Sequence, residues 1–293
     1  MKDADIVLMQ EMEERYWWHI SRRLILQSIL LRHAESFGSA QDRFISASKN
    51  QILKRVQDDA TDPSIPLRYA QDDKGATPES DMRSWTSQDD DARKSSSILD
   101  IGCGGGRNMQ WLKSFGKVIG VDNNPKAIEF CQQYGTTILA DAAKLPLPDG
   151  SFDLITAFDV LEHLEDDKSA IKEWGRVLNN GGYLFISVPA YQWLFSSRDK
   201  QLGHYRRYNL HNLVQLLRNE NFEPIFTSYI FALVFPFFVI QRLFFQKGTA
   251  SVYPKFPQFI DSFLMKLSNL EANLIKFIRF PFGGSIVILA KRL

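Results

Sequence analysis

The sequence has few cysteines and almost no net charge. Cys103 and Cys131 are its only cysteines in 293 residues, too few for a disulfide framework or a cysteine-built zinc site. A net charge of +1 gives no general affinity for nucleic acid or for an acidic partner. Early acids and the lack of an apolar core at the N-terminus predict no signal peptide, so a cytoplasmic location is expected.

The sequence also lacks a long apolar run. The uncharged stretch 230–240 is shorter than the ~20 residues that a membrane-spanning helix needs, and it contains Pro236. Phe is nevertheless abundant, with 22 residues, many of them after residue 220. Burial of this aromatic segment, an interfacial element on a membrane and a wall for an apolar substrate all stay open. A hydrophobic fraction of 44% provides a sizeable core in any case.

A short apolar run ends in a cluster of glycines. Residues 98–101 are apolar except for Asp100, and Gly102, Gly104 and Gly106 follow at alternating positions. Apolar residues then recur at helical spacing. The pattern predicts a strand, a tight loop and a helix, with a ligand lying over the loop.

This loop departs from the dinucleotide-binding fingerprint, which has glycine at its first, third and sixth positions. Here the sixth position is Arg107, and Asp100 precedes the first glycine. A carboxylate at that point suits an ammonium group and would repel a pyrophosphate. The predicted ligand is therefore cationic at one end and a nucleoside at the other, which argues against an NAD-dependent oxidoreductase.

Acids also follow the next three predicted strands. Those strands cover residues 117–122, 137–141 and 152–158. Asp122 lies about 20 residues beyond the loop, the spacing at which an acid meets ribose hydroxyls, and Asp141 and Asp159 mark the next two strand ends. Strands and helices alternate, which predicts a parallel sheet whose carboxyl ends share one edge. Further strands are predicted over 183–189, 222–229 and 284–290, and helices over 168–178, 209–219 and 255–280.

Together these motifs resemble the class I S-adenosylmethionine-dependent methyltransferase family over about residues 98–230. The matching motifs are Asp-Ile-Gly-Cys-Gly-Gly-Gly at 100–106, Gly-Val-Asp at 120–122 and Ala-Asp-Ala at 140–142. Segments 145–153 and 161–164 are similar to the small-molecule branch that includes ubiquinone and menaquinone methyltransferases. The implied fold is α/β, a Rossmann-like doubly wound seven-stranded sheet, mostly parallel with an antiparallel last strand. A helical cap would be inserted at about 232–281.

The resemblance implies S-adenosylmethionine as cofactor. Asp100 would meet its ammonium group, Asp122 its ribose, and Asp141 with Ala142 its adenine. The predicted cofactor-binding residues are Asp100, Gly102, Gly104, Gly106, Asp122, Asn123, Asp141, Ala142 and Asp159. No metal site is predicted. The motif of DNA amino-methyltransferases is absent after the fourth predicted strand, so a nucleic-acid substrate is not expected.

Two histidines are candidates for a general base, should the acceptor have to lose a proton. His163 follows the fourth predicted strand, and His204 lies in the loop after the fifth. Imidazole titrates near the working pH, which suits this role. Glu162 and His163 also resemble residues that some quinone-related members of the family use near a metal. Adjacent side chains on a helix diverge, however, so a structural or cofactor-shell role for at least one of them is an equal alternative.

The loop after the fifth strand also carries candidates for acceptor binding. Arg206, Arg207 and Tyr208 are predicted to bind a carboxylate, phosphate or sugar acid. The equal alternative is that the two arginines form ion pairs on the surface.

Three segments are expected along the chain. Residues 1–37 are a helical lid, in which Trp17 and its aromatic neighbours pack on the main domain or, less favoured, close over a substrate. Arg22 would face solvent or, less favoured, a polar group of the substrate. Residues 38–97 are polar, contain three Gln-Asp-Asp repeats and are predicted to be a disordered insert. Residues 98–293 are the methyltransferase domain with its cap.

The predicted activity is methyl transfer to a small or lipid-linked acceptor, with oxygen favoured as the methylated atom. Peripheral membrane contact through the aromatic C-terminal segment is compatible with this activity. The alternatives are nitrogen or carbon methylation, and a protein of the same fold that binds the cofactor without catalysis. The sequence does not predict an oligomeric state.

Overall fold

The computed structural model describes residues 17–33, 96–244 and 257–293. The predicted insert 38–97 lies outside these ranges except for residues 96–97, which open the first strand. The helices are α1 (Trp17–His33), α2 (Arg107–Leu112), α3 (Pro125–Cys131), α4 (Asp167–Val177), α5 (Ser197–Gln201), α6 (Leu210–Asn219), α7 (Phe235–Phe244) and α8 (Gln258–Leu274). The strands are β1 (Ser96–Ile101), β2 (Gly116–Asp122), β3 (Thr136–Leu139), β4 (Phe152–Phe158), β5 (Leu178–Pro189), β6 (Phe222–Ile230) and β7 (Ser285–Arg292).

The strands form one seven-stranded sheet in the order β3-β2-β1-β4-β5-β7-β6. β1 to β5 are parallel to one another, whereas β7 is antiparallel to both β5 and β6. The predicted Rossmann-like sheet, mostly parallel with an antiparallel last strand, is confirmed. Its central strands are apolar on both faces, which is typical of a sheet covered on both sides.

The direction of winding reverses between β1 and β4. The chain runs outward from β1 through β2 to β3, then returns to place β4 on the other side of β1. Ile98 pairs with Val118 on one side and with Leu154 on the other. Ligands of such sheets bind at the carboxyl ends of the strands beside this reversal.

Most element bounds agree with the sequence pattern, and the differences have local causes. The side chain of Asn124 accepts a hydrogen bond from the Lys126 amide, and Pro125 begins α3, as its helix-start pattern predicts. β5 begins earlier than predicted, because residues 178–182, which include an Asn-Gly-Gly turn pattern, extend the strand. β3 ends at Leu139, so Asp141 lies just beyond the strand rather than at its last position.

α1 and the cap helices pack together near the carboxyl edge of the sheet. α7 and α8 lie between β6 and β7 in sequence, where the helical cap was expected. α1 packs along α8, and the Trp18 ring stacks on Phe231 with centroids 3.6 Å apart. Buried Glu271 of α8 accepts hydrogen bonds from the amides of Phe231 and Leu233. In the described ranges no helix combines the length and apolarity needed to cross a membrane.

Candidate functional site

The glycine loop after β1 is held against the end of β2. The amides of Gly102 and Cys103 both donate to the Val121 carbonyl, at 2.7 and 3.0 Å. Gly102 has φ +68°, a region that non-glycine residues rarely adopt, and a Cβ there would lie 2.4 Å from Val160 Cγ2. The residue type at position 102 is therefore set by backbone conformation and by close packing.

Asp122 joins two loops of the predicted cofactor site. One carboxylate oxygen accepts from the Gly104 amide at 3.0 Å, and the other accepts from the Asn124 amide at 2.9 Å. Burial raises the pKa of this carboxyl, while backbone donors from Asn124, Gly104 and Asn123 act in the opposite direction. Asn123 itself is exposed beside it. The acid thus lies at the rim of the glycine loop, where the sequence analysis places a ribose.

Asp100 and Asp141 occupy different environments at the same edge. Asp100 lies within β1, is fully buried and accepts a 2.6 Å hydrogen bond from Thr156 of β4. Asp141 is exposed, and its side chain accepts from the Ala143 amide at 2.8 Å. The Ala142 carbonyl accepts from the Trp174 indole at 2.9 Å, which fixes this turn to α4.

Asp159 is linked to the N-terminal helix. It follows β4 with φ +56°, and its carboxylate forms an ion pair with Arg22 of α1. The Ser187 hydroxyl of β5 donates to the same carboxylate at 3.1 Å. The expectation that Arg22 faces solvent is wrong, because this residue is only 9% exposed. The side chain of Trp17, a predicted substrate contact, lies outside the described residues, although its backbone begins α1.

Glu162, which was not among the predicted site residues, is fully buried beside the two histidines. It lies in a 3₁₀ turn, Leu161–His163, directly after β4. Burial raises its pKa well above the usual value, and the nearby charge of Asp159 adds to this increase. Neighbouring side chains diverge in a 3₁₀ turn as they do in an α-helix, yet ligand atoms of Glu162 and His163 lie within 4.8 Å of each other.

The loop after β5 brings His204 to His163. The two imidazole centroids lie 4.6 Å apart with nearly perpendicular rings. Burial lowers the pKa of His163 to about 4, and His204 contributes to this decrease. Within the described ranges, Glu162, His163 and His204 each offer a potential metal-ligand atom, all within 4.8 Å of one another. The two histidines, predicted as bases, thus share with Glu162 the composition of a metal-binding group.

The two arginines predicted to bind the acceptor contact acids of this chain. Arg207 donates two 2.7 Å contacts to buried Asp199, and Arg206 lies 3.1 Å from Asp167. The Tyr208 hydroxyl is 3.1 Å from both the Leu161 carbonyl and Asp167. These contacts hold the loop in place, the Arg207–Asp199 pair is buried rather than on the surface, and acceptor binding by these side chains stays a prediction.

The candidate site has two sides at the carboxyl edge of the sheet. The glycine loop, Asp100 and Asp122 lie at the carboxyl ends of β1 and β2. On the other side of the reversal, Asp159 and the histidine pair follow β4. Such an arrangement can hold an adenosyl ligand on one side and present it to a second molecule on the other.

Comparison with known proteins identifies the same segment. Residues 99–186 match the family model described as a methyltransferase domain. A probable S-adenosylmethionine-dependent methyltransferase of Mycolicibacterium smegmatis is 33% identical over 132 residues, 43% of this chain and 51% of that protein. A ubiquinone biosynthesis O-methyltransferase of Xanthomonas oryzae is 31% identical over 100 residues, 31% of this chain and 42% of that protein.

These similarities concern part of each molecule. The chain spans about half the length of the mycobacterial relatives that it matches. The crystal structure of a SAM-dependent methyltransferase from Archaeoglobus fulgidus aligns with a TM-score of 0.47 and 20% identity, covering 68% of this chain and 86% of that one. The matched family model and the relatives agree with the motifs at 100–106, 120–122 and 140–142. Residues 99–186 therefore match a methyltransferase domain, which agrees with the resemblance of the motifs to the class I S-adenosylmethionine-dependent family.

Proposed function

We propose that the protein binds S-adenosylmethionine and transfers its methyl group to a small or lipid-linked acceptor, with oxygen favoured as the methylated atom. The observation that carries the proposal is the series of acids and glycines at the carboxyl ends of β1, β2 and β3. Gly102 and Asp122 support this proposal. A Cβ could not be accommodated at Gly102, and both oxygens of Asp122 face backbone donors at the rim of the loop.

Each end of the cofactor has a matching group in this chain. Asp122 can accept hydrogen bonds from ribose hydroxyls, and a charged acceptor makes such bonds stronger than a neutral one. The acid of Asp100, buried in β1, favours a nearby ammonium group. Asp141 and Ala142 can contact an adenine edge from the turn after β3. Gly104, Gly106 and Asn123 complete the loop as backbone contacts.

The cofactor, when bound, supplies an electrophilic methyl group on a sulfonium. The chain then has to orient the acceptor and exclude water. On the acceptor side, α1 reaches the end of β4 through the Arg22–Asp159 ion pair, and the loop after β5 is bonded to the turn after β4 through the Tyr205 amide. Burial lowers the pKa of His163 to about 4, so its imidazole is neutral at physiological pH, although it is a weaker proton acceptor than a free histidine.

Aromatic rings on this side favour an acceptor with an apolar body. Tyr191 stacks on Tyr229 with centroids 5.3 Å apart and also lies 5.4 Å from Phe235. On α8, Phe259 and Phe263 are 74% and 59% exposed. Exposed rings of this kind suit contact with a membrane surface, from which a lipid-linked acceptor would arrive. Sedimentation with anionic vesicles tests this contact, and Phe259→Ser should reduce the bound fraction.

Relatives with different methylated atoms keep the choice of atom open to experiment. One is the ubiquinone biosynthesis O-methyltransferase; another is an ajmaline N-methyltransferase of Rauvolfia serpentina, 30% identical over 109 residues, 33% of this chain and 38% of that protein. A screen with cofactor carrying a labelled methyl group should include hydroxyl and amine acceptors. If only amine acceptors are methylated, the proposed methylated atom is nitrogen and not oxygen.

The first experiment is calorimetric titration with S-adenosylhomocysteine, with NADH as control. We expect micromolar affinity for the first and none for the second. Asp122→Asn should weaken binding by roughly 10- to 100-fold, because a charged hydrogen-bond acceptor is lost. Glu129→Gln, which removes one exposed acid from α3, is the matched control and should bind normally. Normal affinity of Asp122→Asn would show that the ribose lies elsewhere, and binding without turnover of any acceptor would favour a non-catalytic protein.

A further inference from the structure

The two cysteines of the chain lie against each other at the glycine loop. Cys103 lies between Gly102 and Gly104, and Cys131 is the last residue of α3, 28 positions further along the chain. Both side chains are buried free thiols, and their Sγ atoms are 3.0 Å apart. Cys131 Sγ also lies 3.0 Å from the Gly104 carbonyl. Neither thiol takes part in the methyl transfer proposed above.

Filling of space by a small apolar side chain explains why each cysteine is buried, but not why they meet. A buried residue touches roughly 6–12 others, so two given residues in a chain of 293 are neighbours in only a few per cent of cases, roughly. The pairing of Cys103 with Cys131 therefore calls for a chemical reason, and the reaction that two adjacent thiols share is oxidation to a disulfide.

The two sulfurs can become bonded through a small movement. The S–S bond of a disulfide is about 2.05 Å long, so the Sγ atoms have to approach each other by about 1 Å. Cys103 belongs to a loop in which Gly102, Gly104 and Gly106 have φ values of +68°, +53° and +80°. Glycine adopts alternative backbone conformations at little steric cost, so the loop can follow the sulfur.

We propose that Cys103 and Cys131 form a reversible disulfide that weakens cofactor binding, with a low-molecular-weight disulfide such as glutathione disulfide as the oxidant. One S–S bond forms between the two cysteines while the S–S bond of the oxidant breaks. The two cysteine thiols lose two electrons and two protons, and the oxidant takes up both and leaves as two thiols. In a reducing compartment, disulfides are usually transient and serve redox sensing, which suits a single pair at a binding loop.

The closed loop protects the pair from the oxidant. The hydrogen bond with Cys131, followed by burial, raises the pKa of Cys103 well above its usual value. Because the thiolate is the form that attacks a disulfide, the closed loop reacts slowly and oxidation has to begin from an opened loop. A cofactor that lies over the loop keeps it closed. This protection rests on the proposed function, whereas formation of the disulfide does not.

The disulfide changes the rim at which the ribose is proposed to bind. The Gly104 amide, next to Cys103 in the chain, donates to the Asp122 carboxylate at 3.0 Å. A displacement of Cys103 by about 1 Å toward α3 moves this amide relative to the carboxylate. The coupling is reciprocal: the factor by which oxidation weakens cofactor binding is also the factor by which bound cofactor opposes oxidation.

The test is oxidation of the full, folded chain by glutathione disulfide, with calorimetric titration of S-adenosylhomocysteine before and after. Since the chain has 2 cysteines, the count of free thiols should fall to zero, with loss of two hydrogens in the mass and without formation of a dimer. We expect S-adenosylhomocysteine to bind the oxidised chain at least about fivefold more weakly, and dithiothreitol to restore its affinity. Saturating S-adenosylhomocysteine should slow the loss of thiols.

The double variant Cys103→Ala with Cys131→Ala is the matched control, because its affinity should be equal before and after the oxidant. Circular dichroism shows whether each sample is folded, and if the double variant unfolds, the reversal by dithiothreitol in the unaltered chain serves as the control. A disulfide that forms only in urea, a stable glutathione adduct in its place, or unchanged affinity after oxidation overturns the proposal.

Failure of the proposed function gives a different result. In that case the reduced, folded chain does not bind S-adenosylhomocysteine at all. Formation of the internal disulfide in the folded chain then still supports the redox pair, and its absence overturns the pair as well.

Discussion

The ion pair between Arg22 and Asp159 connects α1 to the end of β4, and its removal should loosen the N-terminal helix. The two side chains are 11% and 27% exposed, so solvent screens them only in part. At an effective dielectric constant of ~20, two charges ~3 Å apart attract by roughly 5 kcal/mol, and desolvation cancels much of this. We expect Arg22→Met to lower the free energy of unfolding by about 1–3 kcal/mol, because it leaves Asp159 charged beside buried Glu162.

A double-mutant cycle separates this pair from simple loss of packing. Met preserves much of the apolar stem of Arg22, and Asn at position 159 tolerates the observed φ of +56°. Urea unfolding of both single variants and the double variant should give a coupling energy of at least about 1 kcal/mol. Arg218→Met, which breaks an exposed pair with Glu223, is the control and should cost less than about 1 kcal/mol.

Hydrogen exchange gives a local readout of the same change. Amides of α1 should exchange faster in Arg22→Met, while those of β1 should change little, since β1 is held by β2 and β4. Additivity within about 0.5 kcal/mol, together with unchanged exchange in α1, would refute the reasoning. That result would leave the Trp18–Phe231 stack and the packing on α8 as what holds the helix.

Three further changes probe the loop, the lid and the cap. Gly102→Ala should cost about 1–3 kcal/mol in thermal melts through strain and contact with Val160, and adding Val160→Ala should recover the contact part. Burial lowers the pKa of His19 in the folded chain to about 3. Since the unfolded chain binds a proton at this residue below about pH 6.5 and the folded chain does not, acid favours unfolding and stability falls as the pH drops. His19→Gln should reduce the slope of the unfolding free energy against pH by up to about 1.4 kcal/mol per pH unit. Glu271→Ala should cost roughly 3 kcal/mol in urea, since it leaves the amides of Phe231 and Leu233 without their acceptor, and a loss below about 1 kcal/mol would contradict this.

The strands and the cofactor rim could be predicted because their causes are local. Apolar runs and glycine positions determine β1, β2 and the loop between them within a few residues of sequence. The Asn124 cap and Pro125 likewise mark the start of α3. Two strand bounds differ from the predicted ones. β5 begins earlier, at Leu178, because strand pairing extends it, and β3 ends earlier, at Leu139, because a turn follows it.

The acceptor side could not be predicted because it is built from distant segments. Arg22 meets Asp159 across 137 positions of the chain, and no periodicity marks such a pair. Arg207 meets Asp199 eight positions earlier, which gives the arginine a structural partner that composition alone does not indicate. The approach of His204 to Glu162 and His163 could not be predicted either, because the loop after β5 brings this residue from 41 positions away in the sequence.

The position of β7 sets the order in which the sheet can be completed. β6 pairs only with β7 in this sheet, and β5 has β7 as its outer neighbour, so both present open edges until residues 285–292 have been synthesised. Open strand edges invite pairing with other chains. During synthesis, β1 to β5 can pair as soon as they have been made, whereas β6 has no partner strand until the cap helices and then β7 have been synthesised. Pairing of β7 therefore completes the sheet, and a chain that ended before β7 would expose the unpaired edges of β5 and β6 to other chains.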